Sequence, residues 1–106
     1  MDCYIKENSL IARMAARKLG ADAAAIVIGR TIHLHNASRK EFLSNPRWLR
    51  HEMVHIRQFL RYGFMPFVAR YLWESLLHGY YNNKYEIEAR LGERDDTVCN
   101  GLNLAE

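Results

Sequence analysis

A pair of histidines at helical spacing is the feature that most constrains this 106-residue chain. Residues 51–55 read His-Glu-Met-Val-His, so that the two imidazoles are four positions apart. On an α-helix, side chains at this spacing share one face and can bind a single metal ion. Zinc is the expected ion, because it accepts imidazole nitrogens. Glu52 lies about 100° around the helix from His51, where it can act on a water beside the metal.

The residues around this motif predict one amphipathic helix over residues 46–62. Asn45 is a suitable N-cap, Pro46 suits the first helical position, and Gly63 ends the helix. At about 100° per residue, the side chains separate into three faces. The predicted core face carries Leu49, Met53, Ile56 and Leu60; the arginine face carries Arg47, Arg50, Arg57 and Arg61; the third face carries His51, His55 and Gln58. The histidines therefore lie at the boundary of the core, where a cleft would form.

The rest of the chain predicts a small hairpin and three further helices. The helices are expected over residues 9–19, 66–78 and 83–91, and the two strands of the hairpin over residues 24–28 and 31–36. Asn83 and Glu86 have the spacing of a capping box at the start of the last helix. Residues 93–106 have no clear periodicity and are expected to form a tail. We therefore expect a single, mostly helical α+β domain with its core over about residues 8–92.

Two histidines leave a catalytic zinc one protein ligand short. The candidates for the third ligand are Glu86 and Glu88 on the last predicted helix, with a capping role and a surface position as the respective alternatives. His33 and His35 lie on the polar face of the second strand, and His78 belongs to a polar helical stripe. We do not expect these three histidines to bind the metal.

Composition narrows the class of protein further. Hydrophobic residues make up 49% of the chain and charged residues 25%, which is typical of a soluble globular domain. A net charge of +3 is too small to indicate nucleic-acid binding, so the arginine face is expected to be solvated. Cys3 and Cys99 are expected to be free thiols. Residues 1–8 are too polar for a signal peptide, and no apolar run could span a membrane, which favours a cytoplasmic protein; a leader trimmed from a precursor is the alternative.

Two segments of the chain resemble those of a known family. The segments HEMVHIRQ at residues 51–58 and EIEA at residues 86–89 are similar to those of small gluzincin-type zinc metallopeptidases, namely the minigluzincins and the bacterial HExxHxxQ peptidase core domains. The resemblance covers about residues 10–92 and implies a zincin-like fold that binds one zinc ion per chain. It also implies that Glu86 is the third ligand. Arg90 departs from the pattern, since the family often has an aspartate there.

The resemblance further implies peptide-bond hydrolysis with Glu52 as the general base. It implies a sheet edge that holds an extended peptide, and it assigns this role to the strand with Thr31, His33 and His35. Gln58 follows His55 by one helical turn and can orient a metal ligand. A donor for the oxyanion is expected among Tyr80, Tyr81 and Tyr85.

Two other classes of function compete with a peptidase. The first is a catalytically silent, zinc-stabilised module that binds a peptide or protein. Glu52 argues against this class, because a purely structural site has no use for a base beside the metal. The second is nucleic-acid binding through the arginine face, with an accidental HExxH motif.

Overall fold

Five helices and a four-stranded mixed sheet make up the computed structural model, which describes residues 1–105. The strands are β1 (Asp2–Lys6), β2 (Ala24–Ile28), β3 (Thr31–His35) and β4 (Asn103–Leu104). The helices are α1 (Leu10–Leu19), α2 (Arg39–Leu43), α3 (Pro46–Tyr62), α4 (Phe64–His78) and α5 (Lys84–Gly92). The expected α+β class is confirmed.

Local signals placed the ends of α1 and α3 correctly. The Ser9 hydroxyl accepts from the Ala12 amide at the start of α1, and Gly20 ends that helix with a left-handed φ of 68°. The Asn45 side chain accepts from the Trp48 amide at 3.2 Å at the start of α3. Helix α4 begins at Phe64, slightly earlier than expected, because a proline within the first turn sacrifices no helical hydrogen bond.

The sheet has the strand order β2-β3-β1-β4. The predicted hairpin is present, since β2 and β3 pair antiparallel. Strand β1 was missed because its sequence, DCYIK, is short and has a charged residue at each end. It pairs parallel with β3 and buries Cys3. Strand β3, with Thr31, His33 and His35, is therefore an inner strand, and its prediction as the sheet edge is wrong. The strand at this end of the sheet is β2.

The prediction of a tail over residues 93–106 is wrong for most of that segment. Its last described residues return to the sheet, where β4 pairs parallel with β1. Val98 is buried in the core, and the Met1 ammonium group donates to the Gly101 carbonyl at 3.1 Å. A segment that packs through single residues and one short strand has no periodicity that a sequence would reveal.

The arginine face of α3 holds this C-terminal segment in place. The Arg50 guanidinium donates to the Glu93 carbonyl at 3.2 Å, and the Arg57 guanidinium donates to the carbonyls of Val98 and Asn100. Two of the four arginines that were expected to be solvated, Arg50 and Arg57, therefore bind backbone carbonyls. Backbone carbonyls are acceptors that a sequence pattern does not show.

The core lies between the sheet and α3. Ile32 and Leu34 of β3 and Met53 and Ile56 of α3 are almost fully buried, as their faces predicted. Leu60 is the exception on the predicted core face, with 42% of its surface exposed. The histidine face of α3 remains available for α5.

Helix α5 packs closely on α3. A Cβ atom at Gly92 would lie 2.4 Å from Cγ2 of Val54, and the Ala89 side chain is fully buried. Small residues on α5 thus allow the two helices to approach closely, which brings Glu86 to the histidines.

Cys3 and Cys99 are free, as expected. Among residues 1–105, no helix has the length and apolar character needed to cross a membrane.

Candidate metal centre

Helices α3 and α5 bring His51, His55 and Glu86 together. Oε1 of Glu86 lies 3.0 Å from Nε2 of His51 and 3.2 Å from Nε2 of His55. One potential ligand atom from each residue lies within 4.8 Å of the other two, the only such group among residues 1–105. Both Nε2 atoms thus point to the place that the third candidate ligand occupies, an arrangement that fits a metal ion bound by two imidazoles and a carboxylate.

The capping box predicted at Asn83 does not form. The Asn83 side chain accepts from the Tyr85 amide at 2.8 Å, whereas the Glu86 carboxylate turns towards the histidines. If Glu86 capped the helix, the imidazoles of His51 and His55 would face each other without an acceptor between them. The contacts of Glu86 with the histidines therefore outweigh the local capping hydrogen bond.

Gln58 orients His55, in the position that its spacing predicted. Its Oε1 lies 2.8 Å from Nδ1 of His55, and its Nε2 donates to the Tyr85 carbonyl at 3.0 Å and to Oε1 of Glu88 at 2.6 Å. Because the amide nitrogen already has two acceptors, the amide oxygen faces the imidazole, and Nδ1 of His55 is the donor. A neutral His55 in this orientation carries its lone pair on Nε2, the atom that faces Glu86.

Glu88, the alternative third ligand, lies outside the centre. Its carboxylate accepts from Gln58 and pairs with Arg61 at 3.3 Å. Glu88 therefore helps to hold Gln58, the residue that orients His55.

Glu93 is a member of the site that the sequence analysis missed. Its Oε2 lies 2.8 Å from Nδ1 of His51, and its Oε1 lies 3.8 Å from the Arg47 guanidinium. Glu93 is the C-cap residue of α5 and follows Glu86 by seven residues, or about two helical turns, so both carboxylates lie on the same side of this helix. Extending the periodicity of α5 beyond residue 91 would have found it.

Tyr71 of α4 is a second member of the site that the sequence analysis did not identify. Its hydroxyl donates to Oε2 of Glu86 at 2.5 Å, and its ring packs edge-on against His55. Burial and the charge of Glu86 raise the pKa of Tyr71, which keeps the hydroxyl protonated as a donor. Nothing in the spacing of the α4 sequence distinguishes this tyrosine.

The three predicted oxyanion donors are placed differently. Tyr80 lines the cleft beside His51 and Glu52, and its pKa is raised by partial burial and by the charges of Glu86 and Glu52. Tyr81 is 70% exposed, with Arg90 4.1 Å from its ring centre. Tyr85 is buried, packed edge-on against Phe67 with ring centres 5.1 Å apart. Only Tyr80 of the three lies at the cleft.

Glu52 is buried at the floor of this cleft. Burial raises the pKa of its carboxyl group to about 7, against the lowering effect of His55 and His51. The cleft runs along β2 and the start of α3; its lining includes Leu19, Ala21, Ala23, Ala24, Ala25, Asn45, Arg47, Trp48, His51, Glu52, Tyr80 and Glu93.

The side chains of His51, His55 and Glu86 form a charged network. Burial alone would lower the pKa of His51, but the hydrogen bonds that it donates to Glu86 and Glu93 and the charge of Glu52 raise this pKa to about 9. Burial alone would raise the pKa of Glu86, but hydrogen bonds from His51 and His55 hold it well below its usual range. A cation bound at this point would take over the role of the imidazole protons.

The other histidines lie away from the centre, as expected. Nδ1 of His33 lies 2.9 Å from the Ser9 hydroxyl, and His35 lines a separate surface cavity near Arg13. His78 is exposed at the end of α4.

Comparison with family models, curated proteins and solved structures found no significant match to this chain. The function of this chain therefore has to be inferred from the chemistry of the site itself.

Proposed function

We propose that this protein is a zinc-dependent metallopeptidase of the HExxH type. The observation that carries the proposal is the convergence of His51, His55 and Glu86 beside the buried carboxylate of Glu52. Two imidazole nitrogens and one carboxylate oxygen are the donor set of many catalytic zinc sites, which leave a coordination position open. Glu52 lines the adjoining cleft together with His51, so that a base and one candidate ligand face the same space.

In this proposal His51, His55 and Glu86 would hold the ion, and the Nδ1 contacts to Gln58 and Glu93 orient the imidazoles. When bound, zinc supplies a Lewis acid that makes water nucleophilic near neutral pH and polarises a carbonyl. Glu52 accepts the proton of the attacking water and passes it to the leaving amine.

Two tyrosines have separate parts in this scheme. Tyr71 holds Glu86 through its hydroxyl, which keeps the carboxylate beside the histidines. Tyr80, at the edge of the cleft, is positioned to donate to an oxyanion.

The substrate strand is reassigned from β3 to β2. Strand β2 has one neighbour in the described sheet, and Ala24 and Ala25 line the cleft next to Glu52. An extended peptide that adds to the outer side of β2 would place its backbone along this cleft. The alanines at positions 21, 23, 24 and 25, which line the cleft, leave room for such a peptide.

Metal analysis tests the ligand set. Protein purified with zinc should hold about one ion per chain, and His51→Ala should hold none. Glu86→Ala should lose most of the zinc affinity, whereas Glu88→Ala, its matched control on the same helix, should retain zinc. Wild-type protein that binds no zinc, or equal effects of the two glutamate variants, would overturn this ligand set.

Hydrolysis of a peptide library tests the activity. Glu52→Gln should keep its zinc and lose about 100-fold or more of the hydrolytic rate, because the amide cannot accept the proton. A variant as active as the wild type would exclude Glu52 as the base. Zinc-loaded wild-type protein that binds peptides without cleaving them would instead identify a zinc-stabilised binding module.

A further inference from the structure

Tyr80 belongs to a short turn that links α4 to α5. The turn covers residues 79–83, and the Asn83 amide closes it by donating to the Tyr80 carbonyl at 3.3 Å. Gly79 begins the turn with a φ of 80°, which glycine adopts without strain. The Tyr80 side chain lines the cleft together with His51 and Glu52. Its position in the cleft therefore depends on the contacts that hold the turn.

Both ends of the turn are fixed to α4. At the first end, the Gly79 amide donates to the Ser75 carbonyl at 2.8 Å. At the second end, Asn83 is fully buried, and its side-chain amide donates to the Tyr71 carbonyl at 3.0 Å and to the Ser75 hydroxyl at 2.9 Å. These contacts fix where the turn begins and ends, but they do not include Tyr81 in its middle.

Arg90 of α5 binds the middle of the turn. Its guanidinium donates to the Tyr81 carbonyl at 2.5 Å and lies 4.1 Å from the centre of the Tyr81 ring. Within residues 1–105, this carbonyl accepts no other hydrogen bond. The Tyr81 ring is 70% exposed, so packing in the core does not hold it. Arg90 therefore supplies the contact that ties the middle of the turn to α5.

Arg90 is placed for this contact by the helix that also carries a candidate ligand. It follows Glu86 by one helical turn, so the two side chains lie on the same side of α5. A guanidinium is planar and always charged, so it can donate a hydrogen bond and lie over an aromatic ring at the same time. One side of α5 thus brings Glu86 to the histidines and Arg90 to the turn that carries Tyr80.

We infer that Arg90 is a positioning residue, which holds the turn so that the Tyr80 hydroxyl stays in the cleft beside the metal centre. For the role of Tyr80 the inference rests on the proposed function, whereas the contact between Arg90 and the turn does not depend on it. A donor stabilises an oxyanion when it lies about 2.7–3.1 Å from that atom. A turn released from Arg90 would lose this alignment, and a misplaced donor lowers the rate.

Peptide hydrolysis by the zinc-loaded protein tests the effect of Arg90 on the reaction. Arg90→Ala should lower kcat about 10-fold and change KM by less than about two-fold, because a displaced donor affects the transition state more than the bound substrate. Its zinc affinity should equal that of the wild type, since Glu86 keeps its contacts with the histidines. A loss of zinc together with the rate would show a structural role and would overturn the inference.

Two further variants serve as rescue and control. Arg90→Lys should retain most of kcat, because an ammonium group can still donate to the Tyr81 carbonyl. Arg94→Ala removes an exposed arginine four residues further along the chain and should have the kcat of the wild type. Equal kcat values for Arg90→Ala and Arg94→Ala would overturn the inference.

A double-mutant cycle shows whether Arg90 acts through Tyr80. Tyr80→Phe should lower kcat about 100-fold, the loss typical of one oxyanion donor. Adding Arg90→Ala to this variant should lower kcat by less than about two-fold further, because no hydroxyl is left to position. If Arg90→Ala lowers kcat by the same factor with and without the Tyr80 hydroxyl, Arg90 acts independently of Tyr80 and the inference is wrong.

Hydrogen exchange tests the contact with the turn without any hydrolysis. The Asn83 amide, which closes the turn, should exchange about 10-fold faster in Arg90→Ala than in the wild type or in Arg94→Ala, because the turn opens more often. Unchanged exchange would overturn the inference. Faster exchange in a protein whose wild type cleaves no peptide would support the hold of Arg90 on the turn and would contradict only the proposed peptidase activity.

Discussion

Each imidazole of the candidate centre is held at Nδ1 by a different kind of group. His55 is held by the neutral amide of Gln58, whereas His51 is held by the carboxylate of Glu93. A carboxylate raises the basicity of its imidazole more than an amide does. The two histidines are therefore electronically different, although the motif makes them look equivalent.

Gln58→Ala should weaken zinc binding. The change removes the acceptor of His55 Nδ1 and leaves the imidazole free to turn, which typically costs about 10- to 100-fold in metal affinity. Competition with a chelator of known affinity measures the effect. Arg61→Ala is the matched control, since Arg61 contacts Glu88 but not Gln58 or the histidines. Unchanged affinity in Gln58→Ala would show that the amide does not orient His55.

At the scale of elements, the centre depends on how closely α5 approaches α3. Glu86 lies on α5 and Glu93 is its C-cap residue, so a displacement of this helix moves one candidate ligand and one orienting group together. Gly92 of α5 lies against Val54 of α3, where the two helices leave no room for a Cβ atom. This contact links the packing of two helices to the geometry of the metal centre.

Gly92→Ala should destabilise the protein by about 1–3 kcal/mol, because the new methyl group would overlap Val54 and force the helices apart. It should also lower zinc affinity through the displacement of Glu86. Chemical denaturation measures the first effect and metal competition the second. With Val54→Ala added, the double variant should be less destabilised than the sum of the single changes, since the overlap is relieved. Full additivity would contradict the close contact.

At the scale of the whole molecule, the two ends of the chain meet in the sheet, where β1 and β4 pair with each other. Strand β4 covers β1, the Met1 ammonium group reaches Gly101, and Arg57 holds the carbonyls of Val98 and Asn100. The C-terminal segment thus connects the sheet to the same helix that carries the histidines.

Removal of residues 95–106 should lower the free energy of unfolding by about 3 kcal/mol or more, because Val98 leaves the core and β1 becomes an uncovered edge. Thermal or chemical unfolding measures the loss. Arg94→Ala, at an exposed position just before the deletion, should have little effect. A truncated chain with the wild-type midpoint would show that the segment does not contribute to the fold.

Local patterns in the sequence determined the α+β class, the caps of α1 and α3, the β2–β3 hairpin and the shared face of His51, His55 and Gln58. These features depend on residues within a few positions of one another, and helical and strand periodicities record such relations directly. The zinc ion and the peptidase activity stay predictions, derived from the motif and the resemblance.

Only the tertiary structure decided which glutamate meets the histidines, which strand lies at the edge and where the C-terminal segment goes. Glu86 is separated from His51 by 35 residues, and its local spacing also fitted a capping role, the alternative that the fold does not adopt. Strand β1 makes β3 an inner strand, and Tyr71 of α4 and Glu93 at the end of α5 reach the centre from elements that the motif does not include. Such contacts join residues far apart in the chain, and their energies depend on packing that no local pattern specifies.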